Sequence, residues 1–429
     1  MFFCEGGMME ATYLERLIAD QRSELLRKGP GIPRDLAWRD LLGLGRILAI
    51  TGIRRCGKST LLRQMAGEWE RGFRYVNFDD VRLEGFAPDD YDLLLRIFGD
   101  AGQETLYLFD EIQMAPKWER YLRRLHDMGL NTVVTGSSSS LLSDELGAHL
   151  TGRHLRHELF PFSFEEFLQC RDVTGRGETT ESVSEILRAS REYIFDGGFP
   201  EYVKHRRREL LEQTYRDIVA RDIIARYGIR ERRAFRELAH FVMSNPGCNM
   251  TYGKLARRFG FKSATSVKEY ISYMEEVYLV FQLRRFDWSL KRSLLSSRKL
   301  YPVDNGLSGA VAFRPSPDMG RLLESAVFGH LRRFCESWYY RDQRECDFVY
   351  EDGRGGYRCL QVCWHLQREN RERELGGIGE AMEFFGLDSG TVVTYDQEGG
   401  ENIDGGRTVR IVPFWRWAME EPVSGRGRR

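Results

Sequence analysis

Residues 52–60 read GIRRCGKST, and no other stretch constrains the fold of this chain so strongly. Glycines at 52 and 57 permit a tight loop, and the lysine and serine that follow are residue types that meet phosphate oxygens and a hard divalent cation. The flanks matter as much. GRILAIT ahead is a short apolar run of buried-strand type, and LLRQMAGEWERG behind has helical spacing and a glycine stop. Strand, glycine loop and helix together aim the backbone N–H groups of Arg55, Cys56, Gly57 and Lys58 inward, with the helix N-terminus behind them. In this reading Gly52 and Gly57 shape the loop, Lys58 reaches the β- and γ-phosphates, Ser59 holds Mg2+, and Thr60 belongs to the same cradle.

A second apolar run, TLYLFDEIQ, ends in Asp110 and Glu111. Ligands of a parallel sheet bind at the C-terminal ends of its strands. Asp110 therefore suits the Mg2+ shell, and Glu111 suits orientation or deprotonation of an attacking water. A third run, NTVVTGSSSS, ends in polar residues, of which Ser137 or Thr135 could meet the γ-phosphate or the water; the alternative is an ordinary loop and cap. Between the first two runs, FRYVNFDDVRLEGF is read as a strand whose Asp79 and Asp80 serve the loop and its caps.

Composition bounds the rest. A chain of 429 residues, 42% hydrophobic and 30% charged, is folded and divided into two to four domains. Lys+Arg and Asp+Glu both number 64, so any basic surface is local. No run of about 18 apolar residues offers a membrane span. The opening MFFCEGGMMEATYLERL lacks the basic and apolar regions of a secretory signal, so a cytoplasmic protein without membrane partners is expected. The cysteines (Cys4, Cys56, Cys170, Cys248, Cys335, Cys346, Cys359 and Cys363) are scattered, which fits reduced thiols. Cys346, Cys359, Cys363 and His365 lie close in sequence, but their spacing matches no common zinc finger.

In order, GIRRCGKST, VNFDD, DEIQ, TGSSS, LTGR and FPFSFEEF resemble bacterial and archaeal AAA+ ATPases. More narrowly they resemble the group related to signal-transduction NTPases and fused to a C-terminal domain of unknown function. GGFPEYV, YRDIVARDI, KLYPVDNGL, ECDFVY and LQVCWHL extend the resemblance from about residue 20 over nearly the whole chain. The resemblance implies an arginine finger supplied by a neighbouring subunit, with Arg153 the first candidate and Arg156 the second. It also implies that GGFP, with Pro200, couples the nucleotide state to the following domain; a plain turn between helices is the other reading. A homo-oligomeric ring, a hexamer among its options, follows from the same likeness.

The remaining segments fill in an expected α/β architecture. Residues 16–172 form the AAA+ nucleotide-binding core and 173–228 a helical lid. Residues 229–306 form a winged helix-turn-helix module, and 318–429 a domain resembling the restriction-endonuclease-like fold. TYGKLARRFG and SATSVKEYISYMEEVYLV give the two-helix pattern, and Lys254, Arg257, Arg258, Lys262 and Lys268 make DNA a candidate partner. In the last domain Glu324 and Asp347 stand where metal ligands would, but Gln361, Val362 and Cys363 occupy the triplet that normally reads Glu-x-Lys. His365, Arg371 and Arg373 are candidate substitutes for the missing lysine, each needing its own coincidence. That domain is therefore expected to dock a protein partner and to cut no DNA. The leading function is Mg2+-dependent ATP hydrolysis that remodels or switches an oligomeric assembly, on DNA or elsewhere. The alternatives are a non-hydrolysing ATP sensor in signalling or defence, and an ATP-gated nuclease.

Overall fold

Apolar runs of five or six residues, joined through helices and buried on both faces, build parallel sheets. That is the arrangement of residues 1–159, one of two compact units in the chain, the other being 160–428. The computed structural model describes residues 9–99, 102, 104–139, 150, 152–312, 318–353 and 355–420.

In the first unit α1 (Ala11–Arg27) and α2 (Trp38–Leu42) precede β1 (Ile47–Thr51). Then follow α3 (Lys58–Glu68), β2 (Phe73–Asn77), α4 (Asp90–Phe98), β3 (Leu106–Asp110), α5 (Trp118–Asp127), β4 (Asn131–Gly136) and β5 (His154–Glu158). The sheet order is β2-β3-β4-β1-β5, and every pairing is parallel. Every residue of β1 and β3 is buried, as a central strand covered on both faces requires. An aromatic core around Phe109, Tyr91 and Tyr121 fills one face; the two tyrosine rings stack at 4.1 Å. The buried Gln21 of α1 bonds both the N–H and the C=O of Asn77 and the Asp80 carboxylate, tying α1 to the end of β2. Asp80 caps the short turn after β2 by accepting from Arg82 N, the loop and cap role read from the sequence.

The second unit opens with helices: α6 (Phe164–Cys170), α7 (Thr180–Asp196), α8 (Pro200–His205) and α9 (Arg208–Asp217). A π-helical stretch follows over Ile218–Ala225, then α10 (Arg232–Met243). Next come β6 (Asn249–Met250), α11 (Tyr252–Phe259), α12 (Ala264–Glu276), β7 (Val280–Arg285), α13 (Leu290–Leu295), β8 (Arg298–Pro302) and α14 (Asn305–Val311). The chain continues through α15 (Met319–Leu331), β9 (Ser337–Arg341), β10 (Glu345–Glu351), β11 (Tyr357–Val362), α16 (Arg368–Phe385), β12 (Ser389–Thr394), β13 (Gly399–Ile403), β14 (Arg407–Pro413) and α17 (Phe414–Glu420). Thr251 and Ser263 cap α11 and α12, and Gly260 ends α11 at φ +73°, which gives the two-helix pattern its turn.

The strands form a single nine-stranded sheet of order β13-β14-β12-β11-β10-β9-β7-β8-β6. Residues 229–306, expected as a winged helix-turn-helix module, supply β6, β7 and β8, and these continue the sheet of the C-terminal strands. They join it through β7, which pairs in parallel with β9, Arg284 against Trp338 and Arg285 against Tyr339.

One carboxylate fixes the corner between α7 and α8. Asp304, just after β8, accepts from Gly198 N at 2.6 Å and from Leu307 N at 3.0 Å. A Cβ on Gly197 would lie 2.2 Å from Asp304 Oδ1, and one on Gly198 would lie 2.3 Å from the Phe162 carbonyl oxygen, so only glycines fit this cradle. Burial pushes the Asp304 carboxyl up to about 6, against the pull of its backbone donors. Asp304→Ala should orphan these buried N–H groups and lower stability by about 2–4 kcal/mol. Urea denaturation of the purified chain measures it; a loss below about 0.5 kcal/mol would show that the carboxylate does not hold the corner.

Candidate active site in the first unit

The residues singled out in the sequence gather at one edge of the parallel sheet. β1 ends at Thr51, and Gly52 follows where the loop must pass against the end of β5. A Cβ there would sit 2.1 Å from the Leu159 carbonyl oxygen, which explains the glycine. Arg55 adopts φ +66° and Gly57 φ +108°, so the loop turns through two left-handed positions before α3 begins at Lys58. Cys56 is fully buried, and burial raises its thiol above the ordinary value, so it packs inside the loop. Thr60 is the third residue of α3, where its hydroxyl accepts from Arg63 Nη2 at 3.5 Å.

Lys58 is 5% exposed. Its ammonium donates to the Gly52 carbonyl at 3.1 Å and the Ile53 carbonyl at 3.4 Å, and it lies 3.5 Å from Glu111 Oε1. Burial works against the lysine's charge, but Glu111, Cys56 and Asp110 together more than offset it, and the ammonium stays protonated. Glu111 answers in kind. Burial would raise its carboxyl, yet Lys58 and a bond from Gln113 Nε2 at 2.5 Å hold it below the usual range. Glu111 therefore remains a carboxylate, the state a proton acceptor needs.

Asp110 closes the group. Its carboxylate receives the Ser59 hydroxyl. It also receives the hydroxyl of Thr135 and, at 3.2 Å, that of Tyr75. Burial and the adjacent Glu111 push the Asp110 carboxyl up, and the Ser59 and Thr135 hydroxyls pull it back. Thr135 stands on β4, between β1 and β3, and its hydroxyl also accepts from Glu111 N at 3.0 Å. Glu111 takes the left-handed conformation at φ +49° directly after the strand, which turns it away from the sheet axis.

Other expected residues lie elsewhere. Ser137 follows β4 and is 9% exposed, nearly buried at the same end of the sheet. Arg153 precedes β5, with its carbonyl accepting from Ile47 N at 3.0 Å. β5 runs parallel to β1, so Arg153 sits at the opposite end of the sheet from Gly52, a strand length of about 16 Å away. Its guanidinium lies 3.6 Å from Asp127, and that of Arg156 is bonded to Glu158 at 2.6 Å. The structure thus brings neither arginine into its own chain's loop. Pro200 is the first residue of α8, in the second unit.

In that unit Asp347, Gln361 and Cys363 are buried, and Glu324 is close by; two expected substitutes for the missing lysine, His365 and Arg371, are paired with other residues, whereas Arg373 pairs with Glu374, which accepts from Gln361 itself. His365 pairs with Asp396, Arg371 with Glu401 and Arg373 with Glu374. Sequence reasoning missed four contributors. Arg34 donates to the Cys56 carbonyl at 2.8 Å from a segment upstream of β1. Tyr75 and Gln113 steady Asp110 and Glu111. The fourth, Lys299, lies among the acidic residues of the second unit. Gln113 and Lys299 lie inside the quoted stretches DEIQ and KLYPVDNGL, but neither stretch gave them a role, and Arg34 and Tyr75 lie in no motif that points to the loop.

A glycine loop with buried lysine, an acidic pair and an intervening threonine, on a five-stranded parallel sheet, define a P-loop NTPase-type domain. Residues 45–168 match the family described as AAA domain, and residues 187–318 match a domain of unknown function, DUF8612. An uncharacterized protein of Methanocaldococcus jannaschii, MJ1544, is 33% identical over 96% of this chain and 97% of its own length. The chain belongs to the same family as that archaeal protein and carries an AAA domain. An uncharacterized protein of Haemophilus influenzae is 28% identical over 71% of the chain and 79% of its own length. Among solved structures, a RuvB variant from Thermotoga maritima has a TM-score of 0.29 at 17% identity, covering 63% of this chain and 93% of that one. AMPPCP-bound DnaA from Aquifex aeolicus has a TM-score of 0.24 at 16% identity, covering 63% and 90%.

Gly52→Ala should force the loop away from Leu159 and destabilise the first unit by more than about 2 kcal/mol. Thermal unfolding measures this, and an unchanged midpoint would show that the close approach is dispensable.

Proposed function

We propose that this chain is a Mg2+-dependent ATPase whose turnover remodels or switches a homo-oligomeric assembly. The observation that carries the reading is the buried Lys58 ammonium, on the Gly52 and Ile53 carbonyls and 3.5 Å from Glu111, beside an Asp110 carboxylate that takes the Thr135 hydroxyl. The Ser59 hydroxyl, at the start of α3, and the Asp110 carboxylate suit a hard cation. A buried ammonium bound only to carbonyls and a neighbouring carboxylate suits an incoming phosphate. In this reading Lys58 and the N–H groups of Arg55 to Lys58 bind the phosphates of ATP, and Ser59 and Asp110 hold Mg2+. Bound Mg2+ neutralises charge on the phosphate oxygens. Glu111 accepts a proton from water, Gln113 orients Glu111, and Ser137 and Thr135 line the phosphate end. Two Asp110 contacts, from Thr135 and Tyr75, keep that carboxylate aimed.

The non-hydrolysing sensor is the weaker reading, because a sensor does not need Glu111 kept ionised. The basic side chains of Lys254, Arg257, Arg258, Lys262 and Lys268 are exposed on and between α11 and α12, which supports DNA as a partner of a chain with no net charge. The winged-helix and restriction-endonuclease-like assignments, and a C-terminal surface that docks a protein, belong to the same proposal.

Phosphate release in the presence of ATP and Mg2+ tests the core of it. Lys58→Ala should weaken ATP binding about 100-fold or more, since phosphate loses its charge partner. Glu111→Gln should bind ATP as the wild type does and slow turnover by at least about 100-fold. Wild-type turnover in Glu111→Gln would overturn the assignment, and absence of turnover in the wild type would return the sensor. Duplex DNA in the same assay should stimulate release, with salt-dependent binding.

Arg153, far from its own loop, supports a site completed by a neighbouring subunit. Specific activity should then rise with protein concentration. Arg153→Ala mixed with Lys58→Ala should recover part of the activity that each lacks alone. Concentration-independent activity with no recovery would exclude the finger in trans.

A further inference from the structure

The second unit contains a polar cluster that the ATPase reading does not use. Lys299, on β8, is 2% exposed. Its Nζ lies 2.8 Å from Glu324 Oε1 on α15, 2.9 Å from Glu345 Oε1 and 2.9 Å from Asp347 Oδ1, the last two on β10. An ammonium has three N–H donors, and three carboxylates take them all. Tyr301 donates to the same Glu324 Oε1 at 2.5 Å, while the second oxygens of the other two carboxylates are also engaged: Asn249 donates to Glu345 Oε2 at 3.1 Å and Val362 N to Asp347 Oδ2 at 3.1 Å. Gln361 accepts from Asp347 N at 3.1 Å and donates to Glu374 at 2.6 Å, and Arg373 balances Glu374.

Three carboxylate oxygens converging on one point are a donor set for a divalent cation, and here that point already holds a positive charge. The backbone that carries the stem is fixed by the pairing of β8 with β7 on one side and β6 on the other, and the ammonium itself is held by its burial and its three carboxylates. A divalent ion arriving at the same oxygens would meet the ammonium at about 3 Å inside a buried site, where like charges repel strongly. Nor can Lys299 serve as a free cation for a phosphate, since its donors are used and its surface is covered. Among the described residues, no group of three or more His, Cys, Asp or Glu side chains is set up to hold a metal ion as the structure stands.

We propose that Lys299 is a built-in counter-ion that occupies the focus of the Glu324, Glu345 and Asp347 carboxylates and closes them to divalent cations. The second unit then folds and works without a metal, and the cluster becomes a cation site only when the amine is removed. This inference is independent of the ATPase reading, which concerns the other unit.

Mn2+ binding to the full-length, nucleotide-free chain tests it, counted by electron paramagnetic resonance and paired with thermal unfolding. Asp347→Asn serves as the subtraction control, since Mn2+ bound elsewhere survives that change. The wild type and Asp347→Asn should bind the same amount of Mn2+. Lys299→Ala should lose thermal stability, gain one Mn2+ per chain, and recover part of its midpoint when Mn2+ is added. The gained ion should vanish in Lys299→Ala with Asp347→Asn. Lys299→Met, which keeps the stem, serves if the alanine variant does not fold. A wild-type chain that loses one Mn2+ on Asp347→Asn would overturn the proposal, as would a folded Lys299 variant that binds no additional ion. If neither variant folds, equal binding by the wild type and Asp347→Asn still supports it.

Discussion

Parallel pairing of β1, β4 and β3 is the constraint on which the first unit depends. Strands that run the same way end at the same edge, and the loop after each strand opens there. Gly52 to Ser59 follow β1, Asp110 and Glu111 end or follow β3, and Thr135 sits near the end of β4 between them. A single hydroxyl, that of Thr135, then reaches the carboxylate of Asp110 and the backbone of Glu111 together. Had either strand run the opposite way, the same residues would be a strand length apart.

Electrostatics at that edge divides labour between two adjacent carboxyls. Both are buried, and burial alone would favour the neutral acid in each. Glu111 has Lys58 beside it and stays charged, whereas Asp110 is pushed up by burial and by its charged neighbour and is only partly pulled back by hydroxyls. The second unit solves a similar problem differently. There carboxylates from α15 and β10 share a buried lysine from β8, so compensation is carried by the fold.

How much of this was legible in the sequence depends on distance along the chain. The glycine loop, the acidic pair and the two-helix pattern are local: each residue's role is set by neighbours a few positions away, and periodicity exposes it. Tyr75 meeting Asp110, Gly198 meeting Asp304 and Lys299 meeting Asp347 join residues 35, 106 and 48 positions apart. No pattern in a single sequence marks such pairs. The continuity of the nine-stranded sheet was hidden for the same reason. β7 reads as a strand, but its pairing with β9 is a tertiary choice. The missing lysine of the Gln361–Cys363 triplet was legible as a loss; that a lysine had arrived on β8 was not.

The Asp304 bond to Gly198 has a mechanical consequence. The helix α7 is 17 residues long, and its C-terminal corner is fastened to the turn leaving β8 with no side-chain stem between glycine and carboxylate. A joint of that kind has almost no slack. A displacement of the C-terminal end of α7 would therefore act directly on the turn that leaves β8. Motion in this half of the molecule must then be sought at softer places, such as the π-helical turn over Ile218–Ala225, where the widened backbone ladder bends more readily.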